Sequence, residues 1–152
     1  MAKIAKQEKT AEFNKLVSAS NSMNENKDCS VKAVSVVCNV EYQVAHEALA
    51  KNGRKNRRGA YTHDILKSVK DLGYTFERVN QADVIRSYPK AHQILKSITT
   101  HHPQRFNKVW ADGETYLFFT KGHVAAVVDG TTHDWSIGRA LRCTSIYKIS
   151  VA

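Results

Sequence analysis

Apolar residues recur at helical spacing through the first half of the chain and predict four helices. The first extends from Ala2 to Ser18, where a few apolar residues stand among Lys and Glu, a weak pattern typical of an outer helix. The polar stretch "SASNSMNENKD" follows and predicts a loop, because its side chains compete for backbone hydrogen bonds.

The second helix, Cys29–Val37, has almost no polar face. Asp28 stands just before it, where a short carboxylate can cap the free backbone amides of a helix start. Val31, Val34 and Cys38 then fall at i, i+3 and i+7, and the other Val and Ala residues widen this stripe. A helix with so little polar surface belongs in the interior of the protein.

Two further helices are predicted over Glu41–Asn52 and Thr62–Leu72. Gly53 and Gly73 follow them at the positions where helices commonly end. Thr62 is the predicted cap of the later helix. In the earlier helix we expect Tyr42, Ala45, Leu49 and either Val44 or Ala48 to face inward.

The pattern changes to short β-rich runs with glycines beside them in the second half of the chain. These runs are "YTFERV", "TYLFFT", "HVAAVVD", "THDWSI" and "TSIYKISV". Residues 82–98, interrupted by Pro89, predict two short helices between the first run and the rest. Helices first and an antiparallel sheet second indicate an α+β fold.

Length and composition indicate the number of domains and the net charge. The 152 residues, 42% hydrophobic, suit one domain over 1–152, and 23 Lys and Arg against 14 Asp and Glu give a net charge of +9 that favours anionic partners. No apolar run is long enough for a membrane span or a secretory core, so we expect no membrane association and a soluble, cytoplasmic protein. Three widely spaced Cys predict reduced thiols.

Cys29 is the first candidate for chemistry. A thiol at a helix amino terminus lies beside unpaired amides and the positive end of the helix dipole, and both favour the thiolate. Cys38 projects from the opposite side of the same helix, so we expect it in the core, and Cys143 is expected to serve packing.

A nucleophilic Cys needs an imidazole, and the hairpin register selects one of the seven His residues. A tight turn at the "DG" dipeptide sets Ala125 opposite Asp134. His123 shares a strand face with Ala125, so it lies diagonally across from Asp134, whereas His133 points to the other side. A three-residue turn would instead bring His133 to the face of His123.

The order of these elements resembles the papain-like cysteine peptidase superfamily, in particular its small phage-encoded members. The likeness is carried by "DCSVKA", by "YQVAHEALAKNGRKNRRGAYT" and by "GHVAAVVDGTTHDW", and it covers roughly residues 24–136. It implies a papain-like fold with Cys29 as nucleophile, His123 as general base and acid, and Asp134 as the orienting group.

The same resemblance implies an oxyanion-binding side chain a few residues before the nucleophile. Papain-like enzymes usually carry Gln or Asn there, and in this chain Asn24 or Asn26 would serve together with the Cys29 backbone amide. The implied reaction needs no metal or cofactor. His101 and His102 lack a Cys or acid at ligand spacing, so no metal site is predicted.

The basic run "KNGRKNRR" is a candidate polyanion-binding loop. Its cations are Lys51, Arg54, Lys55, Arg57 and Arg58, but no aromatic residue is interleaved to stack on bases, which favours a solvated loop.

Three functions follow from these observations. The first is a thiol hydrolase, a cysteine peptidase or isopeptidase acting on a protein or peptide. The second is an inactive papain-like phage protein that binds nucleic acid or an acidic host protein through the basic loop. The third is a thiol acyltransferase that uses the same triad with an amine acceptor. A phage-encoded protein would work in the host cytoplasm.

Overall fold

The computed structural model of the chain describes residues 8–80, 110, 112–137 and 143–152. Within this part of the chain the fold is α+β, as predicted, with four helices and a five-stranded antiparallel sheet. The helices are α1 (Ala11–Ser22), α2 (Cys29–Val37), α3 (Tyr42–Lys51) and α4 (Thr62–Asp71). The strands are β1 (Tyr74–Arg78), β2 (Thr115–Thr120), β3 (His123–Val128), β4 (Thr131–His133) and β5 (Cys143–Val151).

The strand order is β1-β5-β2-β3-β4, so the last strand of the chain lies between the first two. Side chains alternate between the two faces of the sheet, and apolar residues cover both. Leu117, Phe119, Val124 and Ala126 join the helices in one core, while a second cluster forms on the other face, from Trp110, Tyr116, Phe118, Ala125, Val127, Cys143 and Ile146. The central strands are therefore buried on both faces.

Helix α2 lies against β3 and α3 and has the bounds predicted from its apolar pattern. Val31 and Val34 are fully buried, and Cys38 directly after the helix is buried as predicted. Burying each valine side chain contributes about 1.5–3 kcal/mol. This packing holds the amino end of α2, and Cys29 with it, against the sheet.

Helix α1 differs from the prediction of a helix over Ala2–Ser18. It starts at Ala11, where the Thr10 hydroxyl caps it by accepting a 3.2 Å hydrogen bond from the Phe13 amide. It continues to Ser22, into the predicted loop, because serine hydroxyls donate to carbonyls one turn back and Ser20 packs in the interior. The residues before position 8 lie outside the described part of the chain.

Two predicted helix caps are wrong. Asp28 occupies the N-cap position of α2, but its carboxylate makes no capping hydrogen bond and instead accepts from Tyr42 Oη at 2.7 Å and pairs with Lys32 at 3.1 Å. Tyr42 from α3 and Lys32 one turn further along α2 therefore outcompete the amides of the first turn for this carboxylate. At α4 the N-cap residue is Tyr61, and Thr62 is already helical.

The "THDWSI" run forms a shorter strand than predicted. Strand β4 ends at His133, since the Asp134 carboxylate accepts hydrogen bonds from the amide and hydroxyl of Ser136 and turns the chain. Trp135 lies beyond this strand end and is 45% exposed. The two helices predicted over 82–98 lie outside the described residues. No helix in the described ranges is long and apolar enough to cross a bilayer.

Candidate active site

Cys29 is the first residue of α2 and lines a cleft of about 820 Å³ between the helices and the β2–β3 turn. Its side chain is partly exposed, whereas Cys38 and Cys143 are buried, and burial raises the pKa of each of these two thiols to about 12. Of the three thiols, Cys29 is therefore the one that a reagent or substrate can reach.

The amino end of α2 presents backbone amides to this thiol. Because the Asp28 side chain makes no capping bond, it does not occupy the amides of the first turn. These amides and the helix dipole favour a negative charge at the position of the Cys29 sulfur or just beyond it.

His123 begins β3 and lines the same cleft as Cys29. Its Nε2 atom lies 2.7 Å from Asp134 Oδ2. The structure thus brings the three residues of the predicted triad together from α2, β3 and the turn after β4. With Nε2 occupied by the carboxylate, Nδ1 is the ring nitrogen left for the thiol.

The hairpin register that selected His123 is confirmed. Val128 pairs with Thr131 and Ala126 with His133, around an Asp129-Gly130 turn in which both residues have positive φ. His133 points away from the cleft, and its Nδ1 atom lies 2.8 Å from the Thr10 hydroxyl at the start of α1.

Asp134 is a buried carboxylate with several hydrogen-bond donors. Besides His123, the amide and hydroxyl of Ser136 both donate to its Oδ2 atom. Because these bonds fix the carboxylate, Asp134 can hold the His123 ring in one orientation.

The balance of burial and charge raises the pKa of His123 to about 9. Burial is the largest single influence and opposes the charged form, but hydrogen bonds to Asp134 and Cys29, with the negative charges of both, outweigh it. At neutral pH His123 is therefore an imidazolium beside the Cys29 sulfur.

Trp135 lies beside the His123 imidazole. Its ring lies 5.1 Å from the His123 ring, centroid to centroid, and stays substantially exposed. Since β4 ends at His133, the alternation of the strand does not set the direction of the Trp135 side chain.

Asn24 and Asn26 lie outside the cleft that holds Cys29. Both are exposed, and Asn26 is paired with Arg57 through side-chain and main-chain atoms about 3.2–3.3 Å apart. The structure does not bring either predicted oxyanion donor to the thiol. Neighbouring Lys27 does line the cleft.

The predicted basic loop divides into buried and exposed cations. Arg54 is buried and makes a two-pronged ion pair with Glu25, with nitrogen to oxygen distances of 2.9 and 3.0 Å. The Arg57 amide donates to Glu25 at 2.7 Å, and His46 Nε2 lies 2.6 Å from the same carboxylate. The hydrogen bonds from Arg54 are the main cause that lowers the pKa of Glu25 to about 2.

Lys51, Lys55, Arg57 and Arg58 remain exposed, and of these Lys55 and Arg58 line the cleft. Arg54 is therefore unavailable to a polyanion, in contrast to the prediction from the basic run. Its charge is used to hold the connector between α3 and α4 against the loop that precedes Cys29.

Sequence reasoning missed Glu25 and Ser30. Glu25 gave no signal because nothing local distinguishes it from a loop acid. Ser30 lines the cleft, is almost fully buried, and its hydroxyl has no hydrogen-bond partner in the described structure. A buried hydroxyl without a partner costs about 1–3 kcal/mol.

Among the described residues no group of His, Cys, Asp and Glu could hold a metal ion. His101 and His102 lie outside the described ranges. Comparison of the chain with family models, with curated proteins and with solved structures finds no match.

Proposed function

We propose that the protein is a thiol hydrolase of papain-like architecture, a cysteine peptidase or isopeptidase that acts through Cys29, His123 and Asp134. The observation that carries this proposal is a hydrogen-bonded series in which the Cys29 thiol and the His123 imidazole line one open cleft and the buried Asp134 carboxylate holds the imidazole. A structural Cys needs neither the helix amino end nor a protonated imidazole beside it.

In the proposed reaction, Cys29 Sγ attacks the carbonyl carbon of an amide, and the electron pair of the C=O bond moves to the oxygen. The developing oxyanion faces the amino end of α2, where the Cys29 amide donates a hydrogen bond. The C–N bond then breaks, the leaving nitrogen takes a proton from the His123 imidazolium, and a thioester remains.

Water completes the cycle. Neutral His123 accepts a proton from the water molecule that attacks the thioester, the C–S bond breaks, and the thiolate is restored beside the imidazolium. Asp134 keeps the ring in place through both transfers, because its bond to Nε2 leaves Nδ1 as the nitrogen that exchanges the proton.

The first test is the alkylation of Cys29 by iodoacetamide at pH 6, followed by mass spectrometry. We expect the wild type to react about tenfold faster than His123→Ala, because removal of the imidazolium removes the charge that stabilises the thiolate. Cys38 and Cys143 are internal controls and should stay unlabelled in the folded protein, since both are buried. A wild-type rate equal to that of glutathione, and unchanged by His123→Ala, would overturn the triad.

Activity itself is tested by digesting a peptide mixture and identifying new termini. Cys29→Ser should reduce cleavage about a thousandfold or more, because it removes the nucleophile.

A second function, a basic binding module for nucleic acid or an acidic protein, is favoured by one observation: Lys51, Lys55, Arg57 and Arg58 are exposed. Binding of that kind would survive Cys29→Ser and be lost when Lys55, Arg57 and Arg58 are all changed to Gln. Fluorescence anisotropy of a labelled oligonucleotide measures both variants. Arg54 is left unchanged in this experiment, because its pairing with Glu25 makes it a structural residue.

A further inference from the structure

Three cations surround the opening of the cleft that holds Cys29. Lys27 comes from the loop before α2, and Lys55 and Arg58 come from the connector between α3 and α4. The three arrive from two separate segments, so their convergence is a property of the folded protein and was not visible in the basic run.

The backbone of the connector that carries Lys55 and Arg58 is held in place by bonds to Glu25. Arg54 and the Arg57 amide are both bonded to Glu25, and Arg57 adopts a positive φ of 64°. Two anchors three residues apart place Lys55 and Arg58, the residue after each anchor, at the cleft. The side chains can thus reach a ligand without reordering the backbone, which lowers the entropic cost of binding.

No carboxylate is among the described residues that line the cleft. The nearby acid Asp64, whose Oδ2 atom would lie 3.9 Å from a Cβ atom at Gly53, has its other oxygen 3.2 Å from His63. In the described part of the chain, Lys27, Lys55 and Arg58 have no ion-pair partner within 4 Å. Their charges are therefore available to a ligand.

Ser30 adds an unpaired polar group beside the cleft. The residue lines the cleft next to Cys29, and its enclosed hydroxyl lacks a hydrogen-bond partner in the described structure. After a rotation of this side chain toward the cleft, a polar ligand group would pair with the hydroxyl, whereas a purely apolar ligand would not.

We infer that the cleft selects a peptide with acidic side chains next to the carbonyl carbon that Cys29 attacks. The inference rests on the proposed function, because a thiol that forms a thioester needs an acyl substrate. Carboxylates on that substrate would meet the cations of the rim, and the same positive field would speed the encounter.

The anion preference is measured with two reagents that differ in charge, iodoacetate and iodoacetamide. The rate with iodoacetate is divided by the rate with iodoacetamide at Cys29, and this ratio is divided by the same ratio for glutathione. We expect the normalised ratio to be about 5 in 50 mM salt. Lys55→Gln/Arg58→Gln should lower this ratio by about twofold or more, because two of the three cations at the cleft are removed while Lys27 remains. Taking a ratio cancels any change in the thiolate fraction, because both reagents attack the same thiolate.

The matched control is Lys67→Gln/Lys70→Gln. It removes the same two positive charges from exposed positions of α4 that do not line the cleft, and it should leave the ratio as in the wild type. A normalised ratio of one in the wild type, or an equal fall of the ratio in both double variants, would overturn the inference.

The class of ligand is tested by protection of Cys29 from iodoacetamide. A short peptide of Glu should protect the wild type and not Lys55→Gln/Arg58→Gln, while a peptide of equal length with Gln in place of Glu protects neither. Stronger protection by oligothymidylate than by the Glu peptide, or protection by no peptide, would overturn the inference. Protection by the Glu peptide without cleavage of any peptide would instead overturn the hydrolase function and leave the acidic-peptide site standing.

Discussion

His123 contacts an acid and a thiol at once, and this decides its charge. Its Nε2 atom is 2.7 Å from Asp134, and together with Cys29 this carboxylate overcomes burial to raise the pKa of the ring from 6.5 to about 9. A histidine with its ordinary pKa would be mostly neutral at pH 7 and a weaker partner for a thiolate.

We therefore predict that Asp134→Asn moves the loss of His123 protonation from about pH 9 toward 6.5. The Asn side chain can still hydrogen-bond to the ring but does not balance its positive charge. Titration of the imidazole by NMR measures this directly. The alkaline limb of the profile of alkylation rate at Cys29 against pH should move in the same direction. Glu114→Gln, which removes a negative charge from the half-buried residue just before β2, should leave both unchanged. An unaltered titration in Asp134→Asn would show that Asp134 does not control the charge of His123.

At the scale of the element, the loop before α2 and the connector after α3 are joined by one carboxylate. Glu25 accepts from Arg54, His46 and the Arg57 amide, and both partners of the ion pair are buried. Removal of one member leaves the other charged and buried without compensation, which is costly.

Glu25→Gln should accordingly lower the free energy of unfolding by about 3–5 kcal/mol in urea titrations. Glu47→Gln serves as the control, because Glu47 is exposed on α3 and its change should cost less than about 0.5 kcal/mol. A loss of less than about 1 kcal/mol in Glu25→Gln would mean that the network contributes little to the junction between loop and connector.

At the scale of the whole molecule, Glu25 and His123 make the stability of the fold depend on pH in opposite directions. The pKa of Glu25 falls from 4.5 to about 2 on folding, so its contribution is complete above pH 4.5 and is lost as the pH drops through 2. The pKa of His123 rises from 6.5 to about 9, so its contribution is complete below pH 6.5 and is lost as the pH climbs through 9.

We predict maximal stability between about pH 4.5 and 6.5, where both contributions are complete. Urea denaturation measured across pH 3–10 tests this, with His123→Gln as the comparison. That variant should lose the decline between pH 6.5 and 9 and retain the decline at low pH. A decline of equal size above pH 6.5 in both proteins would assign the effect to other groups.

The chain alone determined the features that depend on local periodicity. The stripe of α2 gave its bounds and burial, and the Asp129-Gly130 turn set the hairpin register that brings His123 to Asp134. Both inferences work because side-chain direction in a helix or a tight hairpin follows from residue spacing.

Only the tertiary structure decided which polar groups pair over long sequence distances. In the folded protein the Asp28 side chain bonds to Tyr42 and does not cap the helix, and Arg54 pairs with Glu25 and is not available to a polyanion. Folding also brings Lys27 to the cleft beside Lys55 and Arg58. A charged side chain pairs with whichever polar group folding brings close to it, and that group can lie anywhere in the chain. Residue spacing along the sequence therefore does not predict these pairs.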